Sequence, residues 1–162
     1  VGSYFSLAVS NYRFKQEPIG VGADRFYAFG SGSGWQGPAM KEVLSRVEQS
    51  IPRDATIAVL PEGVTINYLS RRVNPTPYIV LMPPELAAFG EQRVLESFQA
   101  APPDYVILVY KDETEYGVPP FGQPGNGSSI VNWIVEHYRT ESVVGEPPRA
   151  GGHGIEILKR AM

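Results

Sequence analysis

The chain carries at residues 105–112 the segment YVILVYKD, an unbroken apolar run that ends in a carboxylate. Two segments of the same kind are TIAVLPE at 56–62 and YIVLMPPE at 78–85. Runs of five or six residues rich in Val, Ile, Leu and Tyr are typical of strands buried on both faces, as in a parallel sheet covered by helices. Because ligands gather outside the carboxyl ends of such strands, we expect the terminal carboxylates to share one rim, at Glu62, Glu85 and Asp112.

Helical patterns occupy the intervals between these runs. Apolar residues at helical spacing predict a helix over 38–50, and a shorter helix is expected over 63–72, with cations in its last turn facing the negative end of its dipole. Further helices are predicted over 84–100 and from Ser128 or Ser129 onward, where the serine serves as N-cap.

The C-terminal part adds short strands at Val143-Val144 and 155–158, which we expect to form an antiparallel hairpin on one edge. The order of elements predicts a three-layer α/β/α Rossmann-like sandwich with a mostly parallel sheet. We assign residues 1–162 to a single domain, with a loop-rich N-terminal segment (1–37) and a Rossmann-like core (38–162). Within the N-terminal segment, residues 3–9 fit a strand or a frayed helix, and 25–29 a strand.

Composition narrows the functional classes. The 162 residues include no cysteine, which excludes disulfides and thiolate chemistry. The net charge of −3 gives no footprint for nucleic acid. The longest apolar runs are too short to cross a bilayer, so no membrane span is expected.

The three carboxylates admit several roles. They can bind a divalent cation, hydrogen-bond sugar hydroxyls, or act as an acid/base pair; alternatively, Glu62 and Glu85 simply begin helices. The densest polar cluster, at 111–117, adds Lys111, Glu115 and Tyr116 to the candidates. His153, between glycines, is a loop histidine that either reaches a ligand or is merely exposed. No resident cofactor is predicted apart from the divalent cation considered at the carboxylate rim.

A second candidate site is the glycine-rich loop at 30–37. The segment 32–37 matches G-x-G-x-x-G between a predicted strand and a predicted helix, the arrangement that lets a phosphate approach a helix N-terminus. In this reading the loop binds a nucleotide or S-adenosylmethionine through Gly30, Gly32, Gly34 and Gly37, and Glu62 holds the ribose. A flexible surface loop explains the same composition.

A set of motifs also resembles a known family. The segments are LPEGVTINYLSRR at 60–72, PTPY at 75–78, PPE at 83–85, PDYV at 103–106 and EYG at 115–117, together with Lys111-Asp112 and Trp133-Ile134. They resemble the soluble C-terminal region of bacterial multi-span membrane glycosyltransferases, which are similar to dolichyl-phosphate-mannose–protein mannosyltransferases and use lipid-phosphate sugars. The likeness covers roughly residues 20–160.

The resemblance implies an extracytoplasmic domain at the periplasmic face of the bacterial inner membrane. Its partner would be the membrane-embedded portion of the same polypeptide, a glycan or an acceptor. The family's catalytic acidic residue lies in the membrane portion, so the isolated chain is expected to be inactive although its parent is a glycosyltransferase. The expected binding cleft comprises Glu62, Asn67, Tyr68, Glu85, Lys111, Asp112, Glu115 and Tyr116. Besides the nucleotide-binding enzyme, a module that braces a membrane domain remains an alternative.

Overall fold

The computed structural model describes residues 2–32 and 34–161. The helices are α1 (Gly2–Tyr12), α2 (Gln36–Ser50), α3 (Val64–Ser70), α4 (Pro83–Phe89), α5 (Glu91–Ala100) and α6 (Ser128–His137). The strands are β1 (Glu17–Ile19), β2 (Phe26–Ala28), β3 (Ile57–Leu60), β4 (Tyr105–Val109), β5 (Tyr138–Gly145) and β6 (Gly154–Arg160). The α/β class predicted from the sequence is therefore confirmed.

The main sheet is mixed, with the strand order β3-β4-β6-β5. β3 and β4 are parallel, with Leu60 opposite Leu108, whereas β6 runs antiparallel to both β4 and β5. The mostly parallel, Rossmann-like sheet predicted above is wrong. The predicted C-terminal hairpin exists, but of its two strands β6 lies inside the sheet and β5 forms an edge. Burial on both faces makes a strand apolar whichever way it runs, so the pattern did not reveal strand direction.

Helices pack on both faces of this sheet. Val43 and Val47 of α2 and Ile66 of α3 lie in one apolar cluster with Val59, Ile107 and Ile157 of the strands. The other cluster joins α4, α5 and α6 to the opposite face through Leu86, Val94, Phe98, Ile130, Ile134, Ala58, Leu60, Val106, Leu108 and Leu158. Successive strand residues alternate between these clusters, which explains why β3 and β4 lack charged positions.

The predicted strand at 78–82 is not present. Val80 makes a single bridge to Glu62, and the Leu81 N–H donates to the carbonyl of Pro61 at 2.8 Å. Prolines on both sides of the run supply no N–H for a ladder. The Tyr78 carbonyl accepts a hydrogen bond from the Asn74 side-chain amide at 2.9 Å instead of from a neighbouring strand. The run is apolar because Leu81 and Met82 are buried, not because it pairs in the sheet.

Two more predictions change in detail. The helix expected over 84–100 is two helices, because Gly90 adopts a left-handed φ of 83° between α4 and α5. The strand expected at 25–29 is β2, but it pairs only with β1 in a separate two-stranded hairpin. Residues 3–9 form part of α1. None of the helices in the described ranges has the length and apolar character needed to cross a bilayer.

Candidate functional site

A cleft of about 650 Å³ opens at the carboxyl ends of β3 and β4. We call it the strand-end cleft. Its lining comes from the start of α2, from the turns after β3 and β4, and from the turn before β6: Gly34, Trp35, Gln36, Met40, Glu62, Gly63, Val64, Thr65, Val109, Tyr110, Lys111, Asp112, His153 and Ile155. The antiparallel pairing of β4 and β6 brings the last of these turns to this edge, where the Tyr110 N–H donates to the Gly154 carbonyl at 2.9 Å.

Three rings form an aromatic cluster in the cleft. The His153 and Tyr110 ring centroids lie 4.4 Å apart, and those of Trp35 and Tyr110 lie 6.2 Å apart, edge to face. Trp35 and His153 are 6.1 Å apart and close to parallel, at 29°. Such spacings are those of favourable ring pairs, so the rings support one another as a ready-made apolar wall.

A charged pair stands beside the rings. Lys111 Nζ donates to Glu62 Oε2 at 2.6 Å, and both side chains are partly exposed. This hydrogen bond, together with the negative charge of Glu62, raises the pKa of Lys111 despite its partial burial. The cleft therefore presents a fixed ammonium and a fixed carboxylate side by side.

Asp112 completes the polar side of the cleft. Its Oδ1 accepts bonds from the Thr114 hydroxyl at 2.7 Å and from the Thr114 N–H at 3.0 Å. These bonds hold the pKa of Asp112 below its ordinary value. The side chain remains exposed, and as an ionised carboxylate it can accept hydrogen bonds from a ligand.

Of the three predicted rim carboxylates, Glu62 and Asp112 line the strand-end cleft and Glu85 does not. Their meeting follows from the parallel pairing of β3 with β4. Glu85 lies instead in the first turn of α4, because the strand that would have carried it to the rim is absent. Its Oε2 is buried without a hydrogen-bond partner in the described part of the chain.

The other predicted cleft residues lie elsewhere. The Asn67 amide donates to the carbonyls of Ile57 at 2.8 Å and Arg72 at 3.1 Å, so it ties α3 to the sheet. The Tyr68 hydroxyl donates to Asp24 at 2.6 Å, on the side of the N-terminal hairpin. Glu115 and Tyr116 are exposed on a 3-10 turn and do not line the cleft.

The glycine-rich loop reaches the same cleft at its C-terminal end. Gly34 lines the cleft, whereas Gly30 and Gly32 lie in open space. At Gly37 a Cβ would stand 2.1 Å from the Phe29 carbonyl oxygen, so this glycine is required by backbone packing. Ser33 lies outside the described residues. The loop follows a strand of the small hairpin and not of the main sheet, unlike the strand–turn–helix unit of a dinucleotide site.

Sequence reasoning did not bring the aromatic residues together. Trp35 was considered only as part of the glycine motif, Tyr110 as the end of a strand, and His153 as a lone loop histidine. The sequence feature that could have linked them is that each residue lies directly before or after a strand or helix. Within residues 2–32 and 34–161, no three His, Asp or Glu side chains are grouped closely enough to hold a metal ion.

Comparison with protein-family models, with curated proteins and with solved structures finds no match for this chain.

Proposed function

We propose that this protein binds a carbohydrate in the strand-end cleft, as a non-catalytic accessory domain of an extracytoplasmic membrane glycosyltransferase. The observation that carries the proposal is the aromatic cluster beside the Lys111–Glu62 pair and Asp112 within one cleft. The link to a membrane glycosyltransferase rests on the sequence resemblance.

The chemistry of the cleft suits a sugar. A pyranose has an apolar face of C–H groups and a rim of hydroxyls, so it needs a ring to lie on and polar groups at its edge. Trp35, Tyr110 and His153 offer the rings, and Lys111 and Asp112 offer a donor and an acceptor. The volume falls within the range of small-ligand sites.

The same geometry favours binding over hydrolysis of a bound glycan. Glycoside hydrolysis by paired carboxylates requires one of them to hold a proton near neutral pH. The low pKa of Asp112 keeps it ionised, and Glu62 is held in an ion pair with Lys111. Neither is arranged as a proton donor, so we infer that a bound glycan is held and not hydrolysed; the resemblance assigns the catalytic residue to the membrane portion of the parent.

The N-terminal part supports a role beside a partner. Val9 and Tyr12 of α1 are 62% and 69% exposed, and Tyr27 of β2 is 55% exposed. Exposed apolar side chains of this size mark interaction surfaces when they are grouped. We propose that these exposed side chains contact the membrane-embedded portion of the parent at the periplasmic side, which also accommodates the alternative of a bracing module.

A second candidate ligand is a nucleotide or S-adenosylmethionine. It is favoured by one observation, that Gly34 and Glu62 line the same cleft, so one ligand can reach both. The hairpin origin of the loop weighs against it. Adenine stacked on Trp35 would use the same ring as a sugar, so the two ligand classes compete for one site.

Calorimetric titration of the intact chain separates these ligands. Oligosaccharides of glucose, mannose and N-acetylglucosamine are the first set, and ADP, UDP and S-adenosylmethionine are the second. We expect a saccharide to bind and the variant His153→Ala to weaken it about tenfold, which is 1.4 kcal/mol. His137→Ala is the matched control, because His137 stacks on the other tryptophan, Trp133, at 4.7 Å.

The outcomes divide as follows. Saccharide binding weakened about tenfold in His153→Ala and unchanged in His137→Ala supports the proposal. Binding of a nucleotide alone supports the second candidate. No heat with either set, or saccharide binding that His137→Ala removes, rejects the strand-end cleft as a carbohydrate site.

A further inference from the structure

A second large cavity, of about 580 Å³, lies between the N-terminal hairpin, α2 and the end of α3. We call it the hairpin cavity. None of the residues lining the strand-end cleft lines it. Its apolar surface includes Ile19, Leu44 and Leu69, and its volume falls within the range of small-ligand sites.

The rim of the hairpin cavity is unusually cationic. Four cations and two carboxylates line it: Lys41, Arg53, Arg71, Arg72, Asp24 and Glu48. Lys41 pairs at 2.8 Å with Glu17, which stands outside the lining. Even with that carboxylate counted, the cations outnumber the acids by one. A ligand with one negative charge would neutralise the surplus positive charge of these side chains.

Arg53 holds the surplus charge most loosely. It is 89% exposed and stands 3.6 Å from Glu48, whose other oxygen already pairs with the buried Arg72. Arg72 is fixed in place by backbone carbonyls, including that of Ile51 at 2.8 Å. An exposed, weakly paired guanidinium near a fixed one is suited to bind an anion.

Two features of the α3 end add to this picture. Ser70 lines the cavity and is 3% exposed, and its Oγ has no hydrogen-bond partner in the described part of the chain. Buried hydroxyls are normally paired. Arg71 follows with a left-handed φ of 57°, a conformation that favours glycine. Non-glycine residues held in that region cluster at ligand sites.

We propose that the hairpin cavity binds a small amphipathic anion. Its charged group lies among Arg53, Arg71 and Lys41, and its apolar body lies against Ile19, Leu44 and Leu69. The surplus positive charge favours a negatively charged ligand. The apolar wall favours a ligand that also has an apolar part, which a simple inorganic ion lacks. The site is separate from the carbohydrate cleft, so either proposal can fail without the other.

The test uses octanoate as probe, below its micelle concentration, and follows amide shifts of the intact chain by NMR. 1-Octanol and octylammonium are the neutral and cationic controls, and acetate lacks the apolar body. We expect octanoate to shift amides of β1, α2 and α3 around the cavity, and each of the other probes to bind at least tenfold more weakly.

The variant Arg53→Glu reverses the loosest charge at an exposed position, so folding is not at risk. We expect it to weaken octanoate binding at least tenfold, whereas Arg93→Glu, an exposed change on α5, leaves binding unaltered. Equal binding of octanoate and octanol, unchanged binding in Arg53→Glu, or shifts confined to other surfaces would overturn the proposal.

Discussion

Replacing Arg72 with methionine tests how the end of α3 is joined to α2. The sequence placed this cation in the last turn of its own helix, but the structure directs it to the C-terminal end of α2. The Arg72 side chain is 2% exposed and donates to the carbonyls of Ile51 at 2.8 Å and Ser70 at 2.5 Å. It therefore satisfies carbonyls that α2 and α3 leave without intrahelical donors.

The magnitude follows from the carbonyls that lose a partner. Methionine keeps an unbranched stem but is shorter and donates nothing, so the Ile51 and Ser70 carbonyls are left buried and unpaired. The Val47 carbonyl still accepts from the Ile51 N–H at 3.1 Å. A buried carbonyl without its donor costs about 1–3 kcal/mol. The paired Glu48 is 45% exposed and returns to solvent at little cost. We expect Arg72→Met to lower the free energy of unfolding by about 3 kcal/mol, allowing for apolar burial of the methionine.

Urea denaturation of both proteins measures this loss, with an unchanged m-value as the sign that two-state unfolding is retained. The melting temperature should fall by about 6–12 °C, since 1 kcal/mol corresponds to roughly 2–4 °C at this size. Arg71→Met is the control, because the neighbouring arginine is exposed and its ion pair should be worth about 1 kcal/mol or less. Equal losses in the two variants would refute the role assigned to Arg72.

Three further predictions concern buried charges and one close contact. Burial opposes ionisation of Glu156, but hydrogen bonds from Arg149 and Thr140 and the charge of Arg149 hold the pKa of Glu156 below its ordinary value. The ionised Glu156 therefore stabilises the fold at neutral pH, and this stabilisation is lost as the pH falls below about 4. In denaturation curves, Arg149→Met should lower the free energy of unfolding by about 2 kcal/mol at pH 7 and make it less dependent on pH in the acid range. Burial raises the pKa of Glu113, although the hydrogen bond from Asn126 acts in the opposite direction. Ionisation of Glu113 therefore destabilises the fold as the pH rises above about 4. Glu113→Gln should be more stable than wild type at pH 8 but not at pH 4, and the same difference in unfolding free energy at both pH values would contradict this. Gly37→Ala places a Cβ 2.1 Å from a backbone oxygen and should lower the free energy of unfolding by about 3 kcal/mol. Gly32→Ala places its Cβ in open space and should lower it by under about 1 kcal/mol. Similar melting temperatures for the two alanine variants would show that the loop adjusts freely.

The fold was predictable where local pattern and burial agree. The runs ending at Leu60 and Val109 are strands, and their parallel pairing brings Glu62 and Asp112 to one cleft. The run at 78–82 has the same composition, but the prolines that flank it supply no N–H for a ladder, and Leu81 and Met82 are buried in a loop. An apolar composition indicates that a segment is buried, but it does not distinguish a buried loop from a buried strand.

The candidate site was predictable only in its polar half. The aromatic half depends on β6 running antiparallel beside β4, which brings His153 next to Tyr110. A pattern of apolar residues specifies neither the neighbour of a strand nor its direction. The partner of Arg72 was missed for the same reason, since its contacts with α2 span about 20 residues of sequence.

The two tryptophans give the most direct test of the carbohydrate proposal. Trp35 stands in the strand-end cleft, and Trp133 packs against Phe98 and Tyr138 around α6. Each indole N–H gives its own NMR signal, and Trp35→Phe assigns them. Titration with the oligosaccharide that binds most tightly should move the Trp35 signal in a saturable way and leave that of Trp133 in place. A stationary Trp35 signal under saturating sugar, or a shift of Trp133 alone, would contradict the account.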